Sequence, residues 1–154
     1  MGELLKDQLA RTRSVLLKQT EGLAPEVLSF IPDGLRNNIH WQLGHILVTA
    51  ELFFLPEKKF TNQYWSFFGA GTQPADWTDD VPTVEVLLAH LAEQAKTLQQ
   101  MDVPNPDTLF EEPKFGNKTV GEFLAMGAYH ESMHVGQIHT IKRIAEAALV
   151  KSAN

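Results

Sequence analysis

Two histidines four residues apart, His130 and His134, flank a glutamate in Tyr129-His130-Glu131-Ser132-Met133-His134. On a helix such a pair lies about 40° apart around the axis and about 6 Å along it, so two imidazoles can converge on one cation. The pair alone leaves most of a coordination shell unfilled. A third histidine, His45, lies in the otherwise apolar stretch Trp41-Gln42-Leu43-Gly44-His45-Ile46-Leu47. Taken alone, His45 reads as a neutral core histidine bonded to a backbone carbonyl. Beside the pair, a direct ligand on a neighbouring helix is the stronger explanation. Three neutral imidazoles would leave at least one position open on a divalent metal, which lowers the pKa of bound water or thiol enough to give a nucleophile near neutral pH. Zinc is the default expectation for one such ion, and nickel, iron or cobalt accept the same donors.

The other three histidines do not share this spacing. His139 is five residues beyond His134 and His40 five before His45, each about 140° away around its helix. His90, between Ala89 and Leu91, has no partner at ligand spacing and reads as a surface or hydrogen-bonded core histidine. Glu131 is the nearest acid and a candidate general base, but adjacent helical positions diverge by about 100°, which can turn it toward another helix. Gln137, one turn past His134, could position substrate, bind water or join an interhelical hydrogen bond. Tyr129 reads as packing. The segment also satisfies the His-Glu-x-x-His pattern of zinc proteases. The extended form of that pattern is absent, because Gln137 and Thr140 stand where it needs Gly and His, and no edge strand is expected to hold a peptide.

Four amphipathic segments could carry these residues. Leu5, Leu9, Thr12 and Leu16 set the first, from Glu3 to about Gly22, with Gly22 and Pro25 ending it. Asn37 or Asn38 can cap a second from about Ile39 to Lys58. Thr83 can cap a third carrying Val84, Leu87, Leu88, Leu91, Ala95 and Leu98, before Pro104 and Pro106. Thr119 and Glu122 form a capping-box pattern for a fourth that runs to about Ala148. No alternating β-branched runs support strands. The expected fold class is therefore all-α, a four-helix bundle in one domain over residues 1–154 with long connections between helices. The connection from Phe60 to Val81 holds Tyr64, Trp65, Phe67, Phe68 and Trp77. It should pack over the bundle, border a substrate pocket or meet another subunit.

Composition narrows the classes of function. The 154 residues contain no cysteine, which removes disulfides, thiolate ligands and a cysteine nucleophile. Thirteen Lys and Arg stand against 19 Asp and Glu, a net charge of −6 with no basic stripe, so nucleic acid is not an expected partner. No apolar stretch approaches the roughly 20 residues of a membrane span, and the first twenty residues mix charge with apolar positions, unlike a signal peptide. A cytoplasmic location is the corresponding expectation.

The segments Trp41-Gln42-Leu43-Gly44-His45 and His130-Glu131-Ser132-Met133-His134-Val135-Gly136-Gln137-Ile138 together resemble those of the DinB/YfiT-like superfamily of small helical metal proteins. The likeness in organisation covers nearly the whole chain. The resemblance implies an up-down-down-up bundle, often a homodimer, with His45, His130 and His134 as the three ligands near one open end. Some members are transferases using low-molecular-weight thiols and many are described as metal-dependent hydrolases. A thiol transferase is the first expectation, a hydrolase the second and a structural metal-binding module the third.

Overall fold

The computed structural model describes residues 1–153. Four long helices dominate: α1 (Gly2–Thr20), α3 (Ile39–Phe54), α5 (Val84–Gln100) and α6 (Val120–Ser152). Their ends follow local chemistry. Gly22 adopts φ +67° just past α1. The Asn38 side chain accepts from Trp41 N, Thr83 accepts from Val86 N, and Thr119 and Glu122 form a reciprocal capping box.

Among the described residues the chain forms six α-helices and a two-stranded antiparallel sheet, which corrects the expected four-helix bundle. The helix α2 (Pro25–Ser29) spans five residues opened by proline, too few to show a period. The chain also leaves α3 earlier than expected, at Phe54, because Leu55 precedes Pro56 and is extended. The helix α4 (Lys59–Phe68) follows and buries Phe60, Tyr64 and Phe68, which lie at successive turns on one face. Its start has no local cap. The carboxylate of Glu51, on α3, accepts from Phe60 N and Thr61 N and from the Thr61 hydroxyl, placing an anion at the helix N-terminus. The strands β1 (Leu109–Lys114) and β2 (Asn117–Thr119) pair antiparallel where none was expected. Pro113 and the acidic Glu111 and Glu112 hide β1, and the turn places Phe115 at φ +49° before Gly116 at φ +82°, whereas Asn-Gly or Asp-Gly is the usual signal.

Side-chain pairs fix how the long helices run. On α1 and α6, Thr12 meets Ser132 and Gln19 meets Val135, so these helices share a direction. On α1 and α5, Lys6 pairs with Gln99 and Arg13 with Gln94, so these oppose. α3 and α6 also oppose, with Gln42 against Gln137 and Phe53 against Phe123. The core has two apolar clusters, one around Leu16, Leu43, Leu47, Phe68, Leu87, Leu91 and Ile138, the other around Leu5, Leu9, Phe54, Leu98 and Leu124. Arg13, Gln94 and Glu131 are buried between these clusters in chain order on their helices and form a polar layer through the middle of the molecule.

Candidate metal centre

His45 enters from α3 and His130 and His134 from α6, and their candidate ligand atoms all lie within 4.8 Å of one another. Antiparallel packing of the two helices lets a third imidazole meet the pair. Two glycines make the approach possible. A Cβ at Gly44 would stand 2.2 Å from the Phe68 ring, and one at Gly127 would stand 2.7 Å from Phe53. Phe68 therefore packs against the α3 backbone beside His45, and Phe53 lies against α6 with its ring 5.4 Å from that of His130.

The backbone and a glutamine fix the tautomers. His45 Nδ1 lies 2.7 Å from the carbonyl oxygen of Phe68, in the last turn of α4. A carbonyl can only accept, so Nδ1 carries the proton and Nε2 is left with its lone pair. His134 Nδ1 lies 2.6 Å from Gln42 Oε1, while Gln42 Nε2 donates to Gln137 Oε1 at 2.9 Å. This chain orients the Gln42 amide and frees the Nε2 of His134. The Nε2 atoms of His130 and His134 are then only 3.2 Å apart.

Burial keeps the cluster neutral. It lowers the pKa of His134 to about 3, with neighbouring His45 and His130 adding to the effect. Burial lowers His45 to about 4 against the opposing pull of the Phe68 carbonyl, and it lowers half-buried His130 despite nearby Glu131. Crowded neutral imidazoles with lone pairs converging and few protons to share form a donor set that fits a divalent metal. The cluster is capable of coordinating such an ion.

Trp41 stacks on His45 with ring centroids 4.5 Å apart, and its indole N–H donates to Thr72. The remaining candidates lie elsewhere. Both oxygens of Glu131 accept from Arg13, at 2.6 Å from Nε and 3.0 Å from Nη2, and Arg13 also donates to Gln94. Glu131 is therefore not among the clustered donors. Gln137 reaches the site through Gln42 and through its own side-chain bond to His134, which opposes the lowering of that ring's pKa. His40 bonds the Pro82 carbonyl, His90 approaches the Tyr64 hydroxyl and His139 is exposed, so none joins the cluster. Tyr129 is 69% exposed and does not pack in the core.

Sequence reasoning missed Gln42, Arg13 and the Phe68 carbonyl. Gln42 carried a readable signal, since an amide on an apolar helix three residues before His45 needs a buried partner. Arg13 carried a similar signal, since it lies four residues after Leu9 and three before Leu16 on the apolar face of α1. The Phe68 carbonyl carried none, because it depends on where α4 ends.

No curated protein matches this sequence. The profile of the DinB superfamily matches residues 8–138, which include His45, His130 and His134. With all three histidines of the cluster inside the matched residues, the chain belongs to the DinB superfamily.

Proposed function

We propose that the protein is a metal-dependent transferase of a low-molecular-weight thiol, with His45, His130 and His134 holding one divalent ion, zinc by default. The observation that supports this reading is the donor set itself: three neutral imidazoles without a carboxylate in the cluster. A bound divalent ion would keep its charge uncompensated there and would lower the pKa of a thiol or water that joined it.

The placement of Glu131 favours thiol over water. Water activation starts from a pKa of about 15.7 and gains from an adjacent base, whereas a thiol starts near about 8.5. The nearest acid in sequence has both oxygens engaged by Arg13, so we assign Glu131 to holding α6 in place and Gln137 to orienting Gln42. Hydrolysis is the second reading, and would need a proton acceptor brought by the substrate or by movement of Glu131. We further propose that the chain acts as a homodimer in the cytoplasm, which light scattering would check as twice the chain mass.

The test pairs metal content with turnover. Zinc-loaded protein should conjugate glutathione or cysteine to 1-chloro-2,4-dinitrobenzene, and lose the rate with chelator. Folded His45→Gln, His130→Gln and His134→Gln variants should each show weaker zinc binding and an altered X-ray absorption spectrum. Ester hydrolysis without thiol conjugation would replace the first reading by the second. His45→Gln with unchanged affinity and spectrum would remove His45 from the ligand set.

A further inference from the structure

A cleft of about 530 Å³ opens between the segment before α3 and the outer face of α6, beside the metal centre. Gln42 and Gln137, which lead to His134, line one side, and Leu35, Met133 and Ile141 supply apolar walls. Arg36 is the single charged residue among those that line it, in a chain whose net charge is −6. The Arg36 Nε is held by Gln73 Oε1 at 2.9 Å, which leaves the two terminal guanidinium nitrogens as donors.

Gly136, in the interior of α6, also lines the cleft. Glycine weakens a helix interior unless something requires it. At Gly44 and Gly127 a packed ring is the requirement, but a Cβ at Gly136 would meet nothing within 4 Å, and its φ is not positive. What its missing side chain provides is room in the cleft. One residue on, Gln137 Oε1 accepts from Gln42 and the Gln137 side chain also bonds His134, holding the proton on that ring, which leaves the Gln137 Nε2 as a donor for a ligand.

We propose that this cleft binds a small organic carboxylate with an apolar tail, the carboxylate facing Arg36 and the Gln137 Nε2, and that its occupancy is transmitted to His134. A carboxylate accepting from Gln137 Nε2 makes Gln137 Oε1 a better acceptor for Gln42, and Gln42 Oε1 in turn a better acceptor for His134 Nδ1. The Nε2 of His134 becomes more basic, so metal and carboxylate bind with positive coupling. The coupling rests on His134 being a ligand; the seat itself does not.

Hexanoate and neutral hexanamide, titrated into the metal-free full chain, separate these claims. Hexanoate should shift the Gly136 amide, the Gln137 side-chain amide and the Met133 methyl in NMR spectra, with hexanamide about tenfold weaker. Arg36→Gln should bring hexanoate down to the hexanamide level. Gly136→Leu should fill the cleft and abolish the shifts while Tm holds or rises. Equal binding of the two probes, hexanoate binding retained in Gly136→Leu, or a lower Tm in that variant would overturn the seat. Saturating hexanoate should tighten zinc affinity about two- to threefold in wild type, and unchanged affinity would overturn the coupling. If no zinc binds yet hexanoate gives the shifts, the metal reading fails while the seat stands.

Discussion

Arg13 and Glu131 are 2% and 3% exposed, and each is held by the other. The pair loses its hydration on folding, so its mutual attraction adds little net stability. Removing one member is different, because a lone charge then remains in the core. Glu131→Gln or Arg13→Met should each destabilise the protein by about 3–5 kcal/mol in urea titration, lowering Tm by roughly 10 °C. The double variant Arg13→Met with Glu131→Leu should recover most of that loss. A single variant as stable as wild type would show that the pair is hydrated in solution. Gln42 acts on the histidine cluster instead, since it fixes which nitrogen of His134 is free. Gln42→Leu should weaken zinc affinity about 10- to 100-fold with helical content unchanged. Equal affinity in a competition titration would mean that the tautomer is fixed by something else.

The same dependence on a neighbouring group reappears at the element scale in α4. This helix fills the core with Phe60, Tyr64 and Phe68 and gives His45 its carbonyl partner. Gly44→Ala should therefore have two effects from one methyl group, because the new Cβ would stand 2.2 Å from the Phe68 ring. Overpacking of this kind destabilises by about 1–3 kcal/mol, and displacement of Phe68 should weaken metal binding in the same variant. Gly127→Ala should lose stability for a similar reason, with Phe53 as the obstacle. A Gly44→Ala protein with wild-type Tm and zinc affinity would show that α4 can shift freely. The four long helices were legible because each has a local period and a local stop or cap, as at Gly22, Asn38, Thr83 and Thr119. The cluster of His45, His130 and His134 was legible from one helical spacing and one histidine out of place on an apolar face. α4 was not, because its capping carboxylate, Glu51, comes from the preceding helix. The hairpin was hidden by a phenylalanine where its turn needs a left-handed residue. Arg13 and Gln94 have inward positions that a period can predict, but the partner each one meets depends on how α1, α5 and α6 run past one another.

At the scale of the whole molecule, burying neutral histidines makes the metal-free fold sensitive to acid. Burial pushes His45 down to about 4 and His134 down to about 3, and it also lowers His40 from the ordinary value of 6.5. A lowered pKa means that the folded state favours the neutral ring, so the sign follows from proton uptake by the unfolded chain. Well above pH 6.5 both states are neutral and no stability is lost. As pH falls below 6.5 the unfolded chain takes up protons that the folded chain refuses, and stability drops by about 1.4 kcal/mol per pH unit for each such ring. The loss from His45 and His134 together should reach about 3–4 kcal/mol by pH 5, and it levels off only below their folded pKa values. Chelator-treated protein should therefore show a steep fall in urea midpoint between pH 6.5 and 5, and the double variant His45→Gln with His134→Gln should flatten it. Zinc should steepen the fall further, because the stability that the ion adds depends on its free concentration relative to Kd and vanishes as the histidines protonate. A metal-free midpoint that stays level from pH 6.5 to 5, with the fold intact by circular dichroism, would mean that His45 and His134 are protonated in place and that the cluster is open to water.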